Sequence, residues 1–277
     1  IDLNTELRAK AKNNFEKDFF KLMNNSVFGK TMENIRNRVD VRLVTCDKVA
    51  VKLAAKPNYD HCTIFDENLV AIHMRKIKLK FNKPVYLGMC IIDLSKTLMY
   101  DFHYNYIKSK YGAKAKLLFT DTDSLAYEIE TDDFYKDISP DIQSKFDTSD
   151  YPNDHPLAGV NKKVLGMFKD EACSKQIAEF VGLRAKLYTY RMHDGKEHKK
   201  CKGIKKKVVE KNITFDDYKE CLFSGTEQHR TMNVIRSRGH EIYTETLNKI
   251  ALSANDDKRI IMVDGIHTLA YGHHTRC

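Results

Sequence analysis

Punctuation is scarce in this chain. Its 277 residues hold only 12 glycines and 5 prolines, with no internal repeat and no low-complexity linker, which excludes a solenoid array or a long disordered spacer and predicts compact structure. No apolar run reaches about 18 residues, so no membrane-spanning helix is expected. No basic-then-apolar leader opens the chain, so secretion is not expected and an intracellular protein is. The first residue is Ile1 rather than Met, so the expectation is a cut edge at the start. Seven cysteines, at positions 46, 62, 90, 173, 201, 221 and 277, form no Cys-x-x-Cys pair. An odd count excludes a complete disulfide framework, and reduced thiols are the plain reading. His273, His274 and Cys277 are ligand-type residues close together. Without a second cluster at suitable spacing, a zinc site is not expected there.

What is present is a globular composition, 42% hydrophobic and 31% charged, enough to build a core. Lys and Arg number 47 against 38 Asp and Glu, a formal charge of +9. Such a surplus points to a polyanionic partner, since phosphate neutralisation releases condensed counterions. Periodicity predicts helix from Asn4 to about Asn37, on Phe15, Phe19, Leu22, Met23 and Val27, with Gly29 kinking or closing it. Residues 41–45 and 69–81 predict strands. Pro84 to Tyr111 predicts a long core helix, with the proline near its start. Residues 116–129 predict a hairpin with acidic residues at its tip. A short helix near 132–146, a loop over 147–165 and two strands over 177–193 follow. Residues 214–252 predict helices, and 258–271 a last hairpin. Strands mixed with helices, without a βαβ rhythm, give the α+β class.

Three constellations carry chemistry. Lys21, Asn25 and Phe28 recur at i, i+4 and i+7 in Lys21-Leu-Met-Asn-Asn25-Ser26-Val-Phe28-Gly29. On a helix they form one stripe of ammonium, amide and ring. That stripe suits a nucleoside triphosphate, with the lysine as a point charge on phosphate; it equally describes an ordinary amphipathic helix. Asp121 and Asp123 flank Thr122 in Phe119-Thr-Asp-Thr-Asp-Ser124. Residues two apart on a strand point to one side, and converging carboxylates suit a hard cation such as Mg²⁺; an exposed acidic turn is the plainer alternative. Lys186 and Tyr188 form the third pair, again same-sided on a strand, suited to gripping a nucleic-acid backbone or simply a solvated edge.

In this order, the three resemble the B motif, the C motif and the Lys-x-Tyr motif of family B DNA polymerases. The likeness runs from about Phe15 to Gly272. It is closest to the protein-primed branch of viruses, linear plasmids and Polinton-type transposons, through Pro84 to Tyr104, Gly166 to Glu171 and Lys202-Gly203-Ile204. The resemblance implies a DNA-directed DNA polymerase that extends a primer with dNTPs by two-metal Mg²⁺ catalysis. Its partners would be primer–template DNA and dNTPs, with a terminal protein primer where priming follows the protein-primed branch. It implies that Lys21 contacts the incoming triphosphate and that Asn25 and Ser26 lie near the nascent pair, with Phe28 beside the sugar. Asp123 would be the main metal carboxylate with Asp121 in support. Lys186, Tyr188 and Lys202 would hold primer and duplex. It implies a partial right hand: a fingers helix over 1–40, an antiparallel palm sheet with helices over 41–195, and a helical thumb and tail over 196–277.

Two departures stand out. Phe28 occupies a position usually held by tyrosine, so the hydroxyl is missing. No D-x-x-S-L-Y-P-like A motif precedes Lys21, and no exonuclease motif is present. Two-metal catalysis needs a carboxylate from each motif, so the chain alone is expected to be inactive. The alternatives are a non-catalytic DNA-binding relic that keeps the palm and thumb surface, and an unrelated basic domain.

Overall fold

The computed structural model describes residues 1–161, 164, 166–255, 259–265, 267–270 and 272–274. The fold is α+β, and the chain divides into two compact units, Ile1–Thr97 with Ser237–Ile242, and Leu98–Arg236 with Tyr243–Cys277. These bounds cut the chain elsewhere than the expected spans 1–40, 41–195 and 196–277. No helix among the described residues is long and apolar enough to cross a membrane.

The first unit opens with two helices rather than one, α1 (Asp2–Lys10) and α2 (Asn14–Thr31). The break is local chemistry: the Asn13 side chain accepts from the Glu16 N–H at 2.8 Å, and Glu16 reaches back to the Lys12 N–H at 2.9 Å. That cap competes with continued helix. Gly29 does not close α2, which runs on to Thr31. Just past it, Glu33 takes a two-pronged bond from Arg38 and a contact from Lys83. Chiefly the Arg38 bond pulls the Glu33 carboxyl down to about 2.

A small sheet follows, in the order β1 (Asp40–Val44), β3 (Leu69–Met74), β2 (Tyr59–Asp66), all antiparallel. α3 (Asp47–Ala54) covers it, with Val44, Leu53, Ile72 and Met74 as the core. Sequence periodicity missed α3 and β2. The strand predicted over 69–81 stops at Met74.

α4 (Val85–Tyr100) begins after Pro84 as expected. It is not a core helix, however. Only Gly88 and Met99 are buried, while Tyr86 is 71% and Leu94 70% exposed. At Gly88 a Cβ would sit 2.4 Å from Met32 Cγ, so glycine is what lets α4 pass the end of α2.

In the second unit the helix continues as a π-helical stretch, Asp101–Lys108, and one turn of α5 (Ser109–Tyr111). The stretch places Phe102, Tyr106 and Ile107 on its buried side, and Phe102 stacks on Phe168 at 3.8 Å. β4 (Ala115–Asp121) and β5 (Ser124–Ile129) form the predicted hairpin. α6 (Phe134–Ile138), α7 (Ile142–Lys145) and a short parallel pair, β6 (Phe146–Asp147) with β7 (Phe168–Lys169), complete this layer.

A second sheet has the order β10 (Glu197–Cys201), β9 (Leu187–Met192), β8 (Ile177–Arg184), antiparallel throughout. Helices α8 (Lys206–Asn212) and α9 (Phe215–Ser224) follow it. α9 carries a Thr214–Asp217 capping box and a left-handed Gly225 at its end. Phe215, Tyr218, Cys221 and Ile213 fill the core beneath the helices.

Two expectations need correction. The palm was expected as one antiparallel sheet, but β4–β5 and β8–β10 are separate sheets. The helical thumb is only partly helical: beyond α9, residues 228–252 form a long hairpin of β11 (Gln228–Arg238) and β12 (Glu241–Leu252). The reason is its turn. Gly239 and His240 both take positive φ, 57° and 68°, the two-residue geometry that matches strand twist, and alternating Ile242, Thr244 and Thr246 suit a strand. β13 (Arg259–Ile261) and β14 (Thr268–Ala270) form the expected last hairpin.

The turn at Ser237–Ile242 groups with the first unit. His240 Nε2 lies 2.9 Å from His73 Nε2, and His73 stacks on His61 at 4.1 Å. A bond between two imidazoles needs one neutral ring to accept. Burial, then the neighbouring His61 and His240 rings, hold His73 below the usual histidine range, against a smaller opposing pull from Asp60. The neutral ring therefore adds stability that is complete above about pH 6.5 and is lost as pH falls below it. Melting temperature should drop from about pH 8 to about pH 5, and His240→Phe should flatten that drop.

Candidate active site

The acidic tip of the β4–β5 hairpin is tightly turned. Asp121 pairs with Ser124, leaving Thr122 and Asp123 as the loop. The Asp123 N–H donates to the Asp121 carbonyl at 2.6 Å, and Thr122 has φ 58°. This is a γ-turn of the rarer positive-φ kind, strained for a β-branched residue. Ser124 Oγ donates to the same carbonyl at 3.3 Å. Strain held in place by surrounding bonds is a mark of functional turns.

The β8–β9 turn meets this tip. Lys186 sits in that turn with φ 62°, and its Nζ lies 2.7 Å from Asp121 Oδ1. Two motifs far apart in sequence thus share one contact. The Lys186 bond, with a lesser contribution from the field of Lys200, lowers the Asp121 carboxyl below the ordinary range. The Lys186 carbonyl accepts from the Lys202 N–H at 3.2 Å, which ties the third basic residue of the prediction to the same turn. Tyr188 stacks on Phe119 at 4.2 Å. Burial, then the Asp121 and Glu171 charges, push its phenol up.

Asp123 is exposed at the tip, and its carboxylate has no side-chain partner among the described residues. The structure thus places Asp121, Asp123, Lys186, Tyr188 and Lys202 in one region of the second unit. Lys21, Asn25, Ser26 and Phe28 lie on α2 in the first unit. Lys21 and Asn25 are exposed and Phe28 is half-buried, while the Ser26 hydroxyl donates to the Met23 carbonyl at 2.7 Å. The described residues include no cluster of three or more metal-ligating side chains. The His273 and His274 rings lie 4.3 Å apart, tilted by 35°, and Cys277 lies outside the described residues.

The sequence placed Lys200 within the basic run 199–211 expected over the duplex, without a role of its own. Lys200 lies opposite Tyr188 across β9 and β10, exposed, with its field on Asp121. Strand alternation was the available signal: Lys199 points the other way and donates to the Ile213 carbonyl at 2.7 Å, closing the end of α8.

No family model, no curated protein and no solved structure matches the chain.

Replacing Thr122 with glycine removes a positive-φ penalty of about 1–3 kcal/mol and adds about 0.4–1 kcal/mol of unfolded-state freedom. Relief wins, so Thr122→Gly is expected to raise unfolding free energy by roughly 1 kcal/mol in urea titration.

Proposed function

We propose that the chain is part of a DNA-directed DNA polymerase, with the β4–β5 tip as half of its metal site and the β8–β9 turn as its primer grip. The observation that carries this reading is the 2.7 Å contact between Asp121 and Lys186. It joins a carboxylate of the D-T-D-S motif to the lysine of the K-x-Y motif, which supports reading the two motifs as parts of one site.

The donor set suits Mg²⁺. Both side chains offer hard carboxylate oxygens. Asp121 already balances one positive group, and Asp123 is exposed, with no side-chain partner among the described residues. Asp123 and Asp121 would hold the ion, which supplies activation of the primer hydroxyl and charge neutralisation on the leaving pyrophosphate. Lys186 and Lys202 supply phosphate-directed charge beside it. Tyr188 offers a phenol with no side-chain bond among the described residues, held upright by its stack on Phe119. Lys21 and Asn25 present polar atoms to solvent from α2 for an incoming dNTP.

A second reading, duplex binding without catalysis, has its own observation: Asp121 is already neutralised by Lys186. Metal dependence separates the two.

Fluorescence anisotropy with a primer–template duplex tests the binding. Lys186→Ala and Lys202→Ala should each weaken it and each lower the slope of log affinity against log salt by about 1. No binding at low salt would overturn the proposal. Where an A-motif aspartate is present in the same polypeptide, Asp123→Ala should abolish Mg²⁺-dependent primer extension yet leave duplex affinity nearly unchanged. Extension that survives this change would remove Asp123 from the metal site.

A further inference from the structure

Lys186 stands between two ligands that the proposed function assigns to the site. Its ammonium is on Asp121, where a divalent cation would bind. It is also the primer-grip lysine, where a backbone phosphate would bind. One ammonium cannot serve a carboxylate and a phosphate fully at once.

We propose that Lys186 is a switch: it closes Asp121 against a divalent cation in the free protein, and a duplex phosphate draws it off and opens the carboxylate. The inference rests on the polymerase reading and goes beyond it. It makes cation binding depend on the primer being in place.

The backbone around Lys186 is held, and its ammonium reaches Asp121 at the end of a long side chain. Its carbonyl is pinned by the Lys202 N–H, in a two-residue turn where Arg184 pairs with Leu187. The charge lies at the end of a four-carbon stem, a compact point charge with rotatable donors. Lys186 is 41% exposed and Asp121 21%, so both can reach solvent ligands. The pair is therefore weakly held, as exposed ion pairs are, and a phosphate or a divalent ion can displace it. Lys200, exposed nearby, keeps positive field on Asp121 after Lys186 leaves. By linkage, if the duplex tightens cation binding, the cation tightens duplex binding by the same factor.

Mn²⁺ affinity, read by electron paramagnetic resonance on the whole chain, tests this with and without duplex. Lys186→Met should bind Mn²⁺ about three- to tenfold more tightly than the native chain when no duplex is present, because a positive charge has left the carboxylate. Duplex should tighten Mn²⁺ binding to the native chain and have little effect on Lys186→Met. Lys186→Arg keeps the ion pair and should restore native behaviour. A second measurement needs no variant: the Lys186 side-chain ¹⁵N resonance of the native chain should shift on saturation with Mg²⁺.

If Lys186→Met binds Mn²⁺ no more tightly, or the ¹⁵N signal ignores Mg²⁺, the switch is overturned. If duplex binds but leaves Mn²⁺ affinity unchanged, the switch is overturned and the polymerase reading stands. If duplex does not bind at all, both fall.

Discussion

The ring of Phe119 is the contact on which the site depends. The β4–β5 hairpin and the β8–β10 sheet share no ladder of backbone bonds. Besides the ion pair of Asp121 with Lys186, an aromatic side chain joins them: the Phe119 ring lies 4.2 Å from Tyr188 and 5.9 Å from Phe180. Such stacks add about 0.5–1.5 kcal/mol beyond burial and fix an offset that a plain apolar contact would not. Two residues further along β4, that offset becomes the distance between Asp121 and the β8–β9 turn. The geometry of the charges is thus set by packing of rings. The hairpin's other face is anchored differently, by Leu125 and Tyr127 against the aromatic core of the π-helical stretch.

Electrostatics at the tip is poised rather than strong. An exposed pair such as Asp121 and Lys186 contributes little to stability. Its importance lies in which partners it leaves open. Asp123 is exposed, Lys200 stands across from Tyr188, and Lys202 is tied to the same turn through its backbone. Lys199, one residue from Lys200, is spent on the end of α8. Within the basic stretch, strand parity therefore separates a structural lysine, Lys199, from a solvent-exposed one, Lys200.

The hairpin at 115–129 was legible because apolar strands flank four polar residues, and a turn of that length has few solutions. The Asp121 to Lys186 contact was legible only as a motif order; nothing in the residue pattern gives the offset that Phe119 sets. α4 was legible as a helix but not in its burial, because apolar content sets periodicity and says nothing about what covers it. Residues 228–252 carried the opposite problem. Their charged and β-branched residues fit a helix loosely, and the deciding signal was the Gly239-His240 turn. α3 and β2 are short, and short elements take their form from the sheet they join. The split between α1 and α2 turned on the reciprocal cap of Asn13 and Glu16.

The uncovered face of α4 gives the protein two surfaces with opposite responses to its solution. Salt weakens attraction between lysines and phosphate. Salting-out anions such as sulfate strengthen the drive to remove apolar surface from water. In dilute buffer the basic surface dominates what the chain sticks to. In concentrated sulfate the tyrosines, leucines and isoleucines of α4 dominate instead. The choice of buffer thus selects which half of the molecule's chemistry an observer sees.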